Sequence, residues 1–234
     1  MIRAFYSGTA GIKAQQEVVD IVSNNIANVN TEGFKSKSGQ FGDLLYTSME
    51  EKTGRSKTVL AGSGGAVAEV KNNMSDGGCT QTGRLLDYKI DGSGFFRVQD
   101  GSGNNYYTRN GAFSIANENG GMYLVNSAGM SVLDAKGNKI KVTGTGAVQA
   151  QPGVYDFPNE SGLHNQGNNL FSASNTSGGA YAVDTKVMTG YLESSNVDLA
   201  QEMTRLIMSQ RDYQLSARVV STADQLANMA NEMS

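Results

Sequence analysis

The chain has 234 residues, 38% of them hydrophobic and 18% charged, enough apolar content for one large or two small folded domains. A net charge of -3 gives no basic field to hold a phosphate backbone, which argues against nucleic acid as a partner. The single cysteine, Cys79, excludes an intramolecular disulfide and a multi-cysteine metal cluster, and reads as a small, semi-buried, inert residue.

In chain order, the first element is a long helix. Phe5, Ile12, Val19, Val22, Ile26 and Val29 follow one another at intervals of 7, 7, 3, 4 and 3, a heptad seam with no proline to interrupt it. The spacing predicts a helix from about Arg3 to Asn30, roughly 40 Å long. Gly33 and Phe34 stand where a left-handed C-cap and its packed apolar residue belong. No apolar run long enough for a secretory signal or a membrane span occurs, so neither cleavage nor direct membrane insertion is expected.

From about Ser36 to Thr82 apolar periodicity is weak. Phe41, Leu44, Leu45 and Tyr46 read as a short anchor, and Gly62-Ser63-Gly64-Gly65 as a mobile joint in an extended arm. Short apolar runs then alternate with turn signals from Leu85 to Val142: Phe95-Phe96-Arg97-Val98 before Asp100-Gly101, Tyr106-Tyr107 before Asn110-Gly111, and Phe113-Ser114-Ile115 before Asn119-Gly120. This pattern predicts an antiparallel barrel or sandwich. Ala147 to Lys186 is polar and loop-like, with further strands around Phe171 and Tyr181.

Leu199, Met203, Leu206, Tyr213, Ala217 and Val220 form a second seam at intervals of 4, 3, 7, 4 and 3, continued by Leu226, Met229 and Met233. Ser195 with Asp198 fits a capping box, and Asn196 is an alternative N-cap. The fold class expected is therefore α+β. Residues 1–34 and 188–234 make a helical assembly domain paired like a coiled coil, 35–82 an arm, and 83–187 a β-rich middle. Stripes this long call for partner helices, within a monomer or in further copies of the chain.

Catalytic chemistry finds little footing. His164 is the sole histidine and has no second one to complete a zinc or iron site. No Gly-x-Ser-x-Gly elbow supplies a nucleophile, and no glycine-rich stretch is followed by Gly-Lys-Ser/Thr. Asp100 to Asn104 opens like a calcium loop, but Asn105 takes the glycine position and Gly111 the glutamate position. No cofactor and no enzymatic activity are expected. The 22 acidic residues leave a carboxylate pair for glycan chemistry open, although none is singled out.

The segment Ser23-Asn24-Asn25-Ile26-Ala27-Asn28-Val29-Asn30-Thr31-Glu32-Gly33-Phe34-Lys35 resembles the N-terminal signature of the bacterial flagellar rod and hook family. Ile90 to Val98 with Tyr107 to Phe113 resembles that family's β domain. Gly190 to Val197 and Glu202 through Asp224 resemble its C-terminal helix. Asparagine is a poor helix former whose amide both donates and accepts, so Asn24, Asn25, Asn28 and Asn30 suit hydrogen bonds that fix register with neighbouring chains. The resemblance implies a hollow helical tube of many copies, with the terminal helices inside, partnered by other rod and hook proteins. It also implies export through the flagellar type III apparatus without a cleaved signal peptide, and a place in the basal body. The chain's length favours a rod subunit, distal or proximal, over a hook-type one.

Overall fold

The computed structural model describes residues 2–49, 59–62, 64–118, 121–143 and 148–232. Ser63 of the glycine-rich stretch, the turn at Asn119-Gly120 and Met233 of the second seam lie outside the described residues. The chain divides into two compact units: one of residues 1–27, 37–73 and 198–234, the other of 28–36 and 74–197.

The first unit holds α1 (Ile2–Ala27), β1 (Lys37–Asp43), β2 (Thr47–Met49), β3 (Val59–Ala61), β4 (Gly65–Asn72) and α2 (Leu199–Glu232). α1 ends at Ala27, short of the expected Asn30. Asn28 opens a turn instead: its carbonyl accepts from the Thr31 amide at 3.1 Å and its side chain from the Thr31 hydroxyl at 3.2 Å. Such local side-chain bonds compete with helix propagation. α2 begins at Leu199 because Asp198, not Ser195 or Asn196, is the N-cap; its Oδ1 accepts from the amides of Ala200 at 2.9 Å and Gln201 at 3.2 Å. Residues expected as an arm form a two-stranded sheet, β1 against β4, running from Lys37↔Asn72 to Asp43↔Gly65 with a bulge after Gln40.

The two helices run antiparallel. A Cβ on Gly8 would lie 2.6 Å from Val220 Cγ2 and one on Gly11 3.3 Å from Ser216 Oγ, while the Asn25 amide donates to Glu202 Oε2 at 3.3 Å. The covered positions of α2 are Glu202, Leu206, Ser209, Ser216, Ala217, Val220, Ala223, Ala227 and Ala230, spaced mostly by three or four residues. The helix–helix stripe is thus built largely of small and polar residues. An apolar-seam reading cannot see it. No helix among the described residues is long and apolar enough to cross a membrane.

The second unit is the β-rich middle. Its strands are β5 (Cys79–Gln81), β6 (Tyr88–Ile90), β7 (Phe95–Gln99), β8 (Asn105–Thr108), β9 (Ser114–Glu118), β10 (Gly121–Val125), β11 (Ser131–Val132), β12 (Val154–Asp156), β13 (His164–Gly167), β14 (Leu170–Ser172), β15 (Tyr181–Val183), β16 (Val187–Thr189) and β17 (Tyr191–Glu193). The main sheet follows the order β13-β14-β8-β7-β11-β10-β9, with β12 bridging β7 and β15. All its pairings are antiparallel. It is an open, branched sheet, not the closed barrel the strand spacing allowed. The reason lies at β7, whose second edge is shared: Val98 and Gln99 pair with β11, Phe95 and Phe96 with β12.

Alternation along β7 sends Phe95 and Phe96 to opposite faces. Phe96 and Val98 enter a core with Ile90, Phe113, Leu124, Val132 and Ile140. Phe95 enters a second core with Tyr107, Tyr155, Phe157, Leu163 and Phe171. Four of those six come from the polar stretch after Ala147, where isolated apolar residues give no periodic signal. Both faces of the sheet are therefore buried. Phe96 is fully buried, so Phe96→Ala should cost about 3–5 kcal/mol and lower the urea midpoint of the middle unit accordingly.

Candidate functional site: a buried charge clasp and two helix faces

Within the middle unit, the segment following the asparagine-rich turn meets the end of β17. The Gly33 amide donates to the Glu193 carbonyl at 2.8 Å, and the Ser36 amide to Asn196 Oδ1 at 2.7 Å. Asn196 Nδ2 donates in turn to the Ser75 carbonyl at 3.0 Å. Gly33 is therefore not a helix cap, as its place in the sequence suggested. Its φ of +65° and the approach of Asn110 N, 2.6 Å from where a Cβ would sit, both require glycine.

Lys35 closes the joint. Its ammonium donates to Glu193 Oε1 at 2.7 Å, to the Ser75 carbonyl at 2.8 Å and to the Met74 carbonyl at 3.2 Å, which satisfies all three of its protons. Glu193 Oε1 also accepts from the Gly77 amide at 3.0 Å, and Oε2 from Arg109 Nη1 at 3.4 Å. Arg109 lies 3.6 Å from Asp76 Oδ1, and its guanidinium stacks on the Phe95 ring at 5.4 Å from the centroid. The side chains of Lys35, Arg109 and Glu193 are each 1–2% exposed. Two cations and two carboxylates balance in charge. With its ammonium saturated from within the chain, Lys35 fastens backbone and presents no free charge to a ligand.

Burial raises the Glu193 carboxyl, but Lys35, the Gly77 amide and Arg109 together outweigh it and hold the group below its ordinary value of 4.5. Burial likewise draws the Lys35 ammonium down from 10.5, against the pull of Glu193. Among the described residues, no group of three or more histidine, cysteine or acidic side chains is placed to hold a metal ion.

The structure scatters the residues singled out in the sequence. Asn25 is fully buried and turned inward: Nδ2 donates to the Lys37 carbonyl at 2.8 Å and Oδ1 accepts from the Lys37 amide at 2.9 Å. It pairs like a strand residue with its own chain, where the sequence suggested a bond to a neighbour. Asn24 is exposed, and Asn28 holds its turn. Val29 and Asn30 line a cleft of about 250 Å³ with Glu32, Thr80, Leu192 and Ser194. Phe34 is buried in the middle unit. Of the first seam, Val22 is buried, Ile12, Val19 and Ile26 are half-buried, and Phe5 is exposed. Of the second, Leu206, Ala217 and Val220 are partly covered, whereas Leu199, Met203 and Tyr213 are exposed.

Periodicity missed Lys35, Arg109, Glu193 and Glu202. The signal available for them is a charged residue inside a block otherwise made of apolar and turn residues, as in Tyr191-Leu192-Glu193 and Gly33-Phe34-Lys35. Glu193→Gln leaves two buried cations facing a neutral amide, so it should cost about 3–5 kcal/mol in urea unfolding of the middle unit at pH 7. Because the folded carboxyl titrates below 4.5, its contribution is present above that pH and fades as pH falls through the folded value. Unfolding followed from pH 6 to pH 3 should show this loss in the parent chain and not in the variant.

Three family models match the chain: "Flagella basal body rod protein" over residues 5–35, "Flagellar hook protein FlgE/F/G D1 domain" over 89–150, and "Flagellar basal body rod FlgEFG protein C-terminal" over 188–233. The chain is similar to the flagellar basal-body rod protein FlgG of Buchnera aphidicola, 34% identical over 97% of both chains. It is also similar to FlgG of Agrobacterium fabrum, 34% identical over 99% of both, and to that of Bacillus subtilis, 33% identical over 97% of both. The matched segments contain both halves of the clasp, Lys35 in the first and Glu193 in the third, with Arg109 in the second. The chain belongs to the flagellar basal-body rod and hook family.

Proposed function

We propose that the chain is a structural, non-enzymatic subunit of the bacterial flagellar rod, copies of which assemble into a hollow helical shaft that transmits torque and lets exported subunits pass. The observation that carries this reading is the surface of α2. Met203, Ile207, Met208, Leu215, Leu226 and Met229 are each 50–60% exposed along one helix, while the stripe turned to α1 holds serines, alanines and a glutamate with Leu206 and Val220 as its larger apolar members. An apolar surface of this extent marks an interaction site. The large side chains are left for other chains.

In this reading the terminal helices α1 and α2, within residues 1–34 and 188–234, pair in coiled-coil fashion with one another and with those of other copies. Within residues 35–82 the sheet of β1 and β4 serves as an arm, and 83–187, with the clasp segments that close on it, as the outer β domain. The residues that carry assembly are the two seams, with Phe5, Ile12, Val19, Leu199 and Met203 foremost. The partners are copies of the same chain, neighbouring rod and hook proteins and, before assembly, the type III export apparatus. The place is the basal body in the cell envelope, reached without a cleaved signal peptide. Full-length similarity to proteins named as rod subunits supports a rod rather than a hook position.

Met203→Asp and Leu215→Asp place charge on exposed positions and should leave the folded chain's urea midpoint within about 0.5 kcal/mol of the parent. In cells that depend on this copy of the gene, the double variant should abolish swimming and leave basal bodies without a completed rod under the electron microscope. Normal motility would sink the proposal.

A further inference from the structure

Two apolar rows on the helix pair are built on seven-residue spacings, strict on α1 and broken once on α2. On α1 the row is Phe5, Ile12, Val19 and Ile26; on α2 it is Met208, Leu215, Val219 and Leu226, at intervals of 7, 4 and 7. The contacts Gly8–Val220, Gly11–Ser216 and Asn25–Glu202 fix which sides of the helices face each other. At about 100° per residue the α1 row is turned about 80° from that contact line, and the α2 row about 75–130° from it in the opposite sense. The rows therefore lie on opposite flanks of the pair.

Charges accompany both rows with the same repeat. Lys13 and Asp20, each exposed, sit one residue beyond Ile12 and Val19. Arg205 and Asp212, also exposed, sit seven apart beside Met208 and Leu215. When α1 of one copy lies antiparallel along α2 of another with Val19 near Met208 and Ile12 near Leu215, Lys13 faces Asp212 and Asp20 faces Arg205 in one register. Arg205 also bonds Glu202 of its own helix at 2.8 Å, so Asp20 of the next copy shares that guanidinium.

We infer that the α1 row of one copy docks on the α2 row of the next. This rests on the rod reading proposed above and specifies its lateral contact. Such a contact is heterologous: each copy uses one flank to give and the other to receive, so the chain of copies stays open. An isologous contact of α1 with α1 would close at two and leave the α2 row uncovered.

The test uses full-length chain carrying Cys79→Ser, since Cys79 is exposed rather than semi-buried as its sequence context suggested. Val19→Cys is placed in one population and Met208→Cys in a second, of distinguishable mass. Mixed, pelleted as polymer and oxidised, they should yield mainly the mixed disulfide dimer. A predominance of either homodimer, or polymer without mixed dimer, overturns the pairing while leaving the rod reading standing. Failure of the Cys79→Ser chain itself to form any polymer overturns both. Independently, Lys13→Asp and Asp212→Lys should each raise the concentration needed for pelleting by about threefold to fivefold, and their combination should restore it. Additive loss in the combination also overturns the pairing.

Discussion

A carboxylate that is 2% exposed stays ionised only where cations and amides replace its water, and in this chain that condition organises the middle unit. Glu193 sits at the end of β17, Lys35 lies more than 150 residues earlier, and Arg109 follows β8. None of the three can be buried alone at tolerable cost. With Asp76 beside Arg109 the group is neutral, and Glu193 accepts from both cations. The first β pairings of the unit point the same way: β5 joins β17 and β6 joins β16, so the earliest strands close on the last. The clasp thus lies at the head of a zipper that draws the beginning and end of the unit to one place.

The helix pair obeys a different constraint. Gly8 and Gly11 allow Val220 and Ser216 to approach closely, and Asn25 with Glu202 supplies a buried polar bond that selects one register. Removing small residues from water yields little, at about 25 cal/mol per Å² of apolar surface, so specificity within the pair outweighs strength. The greater apolar area lies on the outer flanks.

The sequence made the α+β order, the two long helices and the antiparallel middle legible, because runs such as Phe95-Phe96-Arg97-Val98 alternate and Asn-Gly pairs turn. The motif blocks also placed the family. What stayed hidden follows from the same physics. A heptad search rewards large apolar residues, so it selected Leu199 and Met203, which are exposed, and passed over Ser209 and Ser216, which are covered. Tyr155, Phe157 and Leu163 stand alone in polar text, and only the sheet's second face shows why they are apolar. The sequence offered Asn25 as a contact to other chains, yet its amide matches the backbone of Lys37 bond for bond.

The turns of the middle unit close upon themselves. The Asp100 carboxylate accepts from the Gly101 amide, Asn126 Oδ1 from the amides of Ala128 and Met130, and Asp134 Oδ1 from those of Lys136 and Asn138. Each satisfies its own backbone without borrowing from the two cores beneath it. Lengthening such a loop costs only about 0.6 kcal/mol for each doubling of its residues. These hairpin tips are therefore modular ports, where whole additional domains can be spliced in while the sheet, the clasp and the helix pair keep their form.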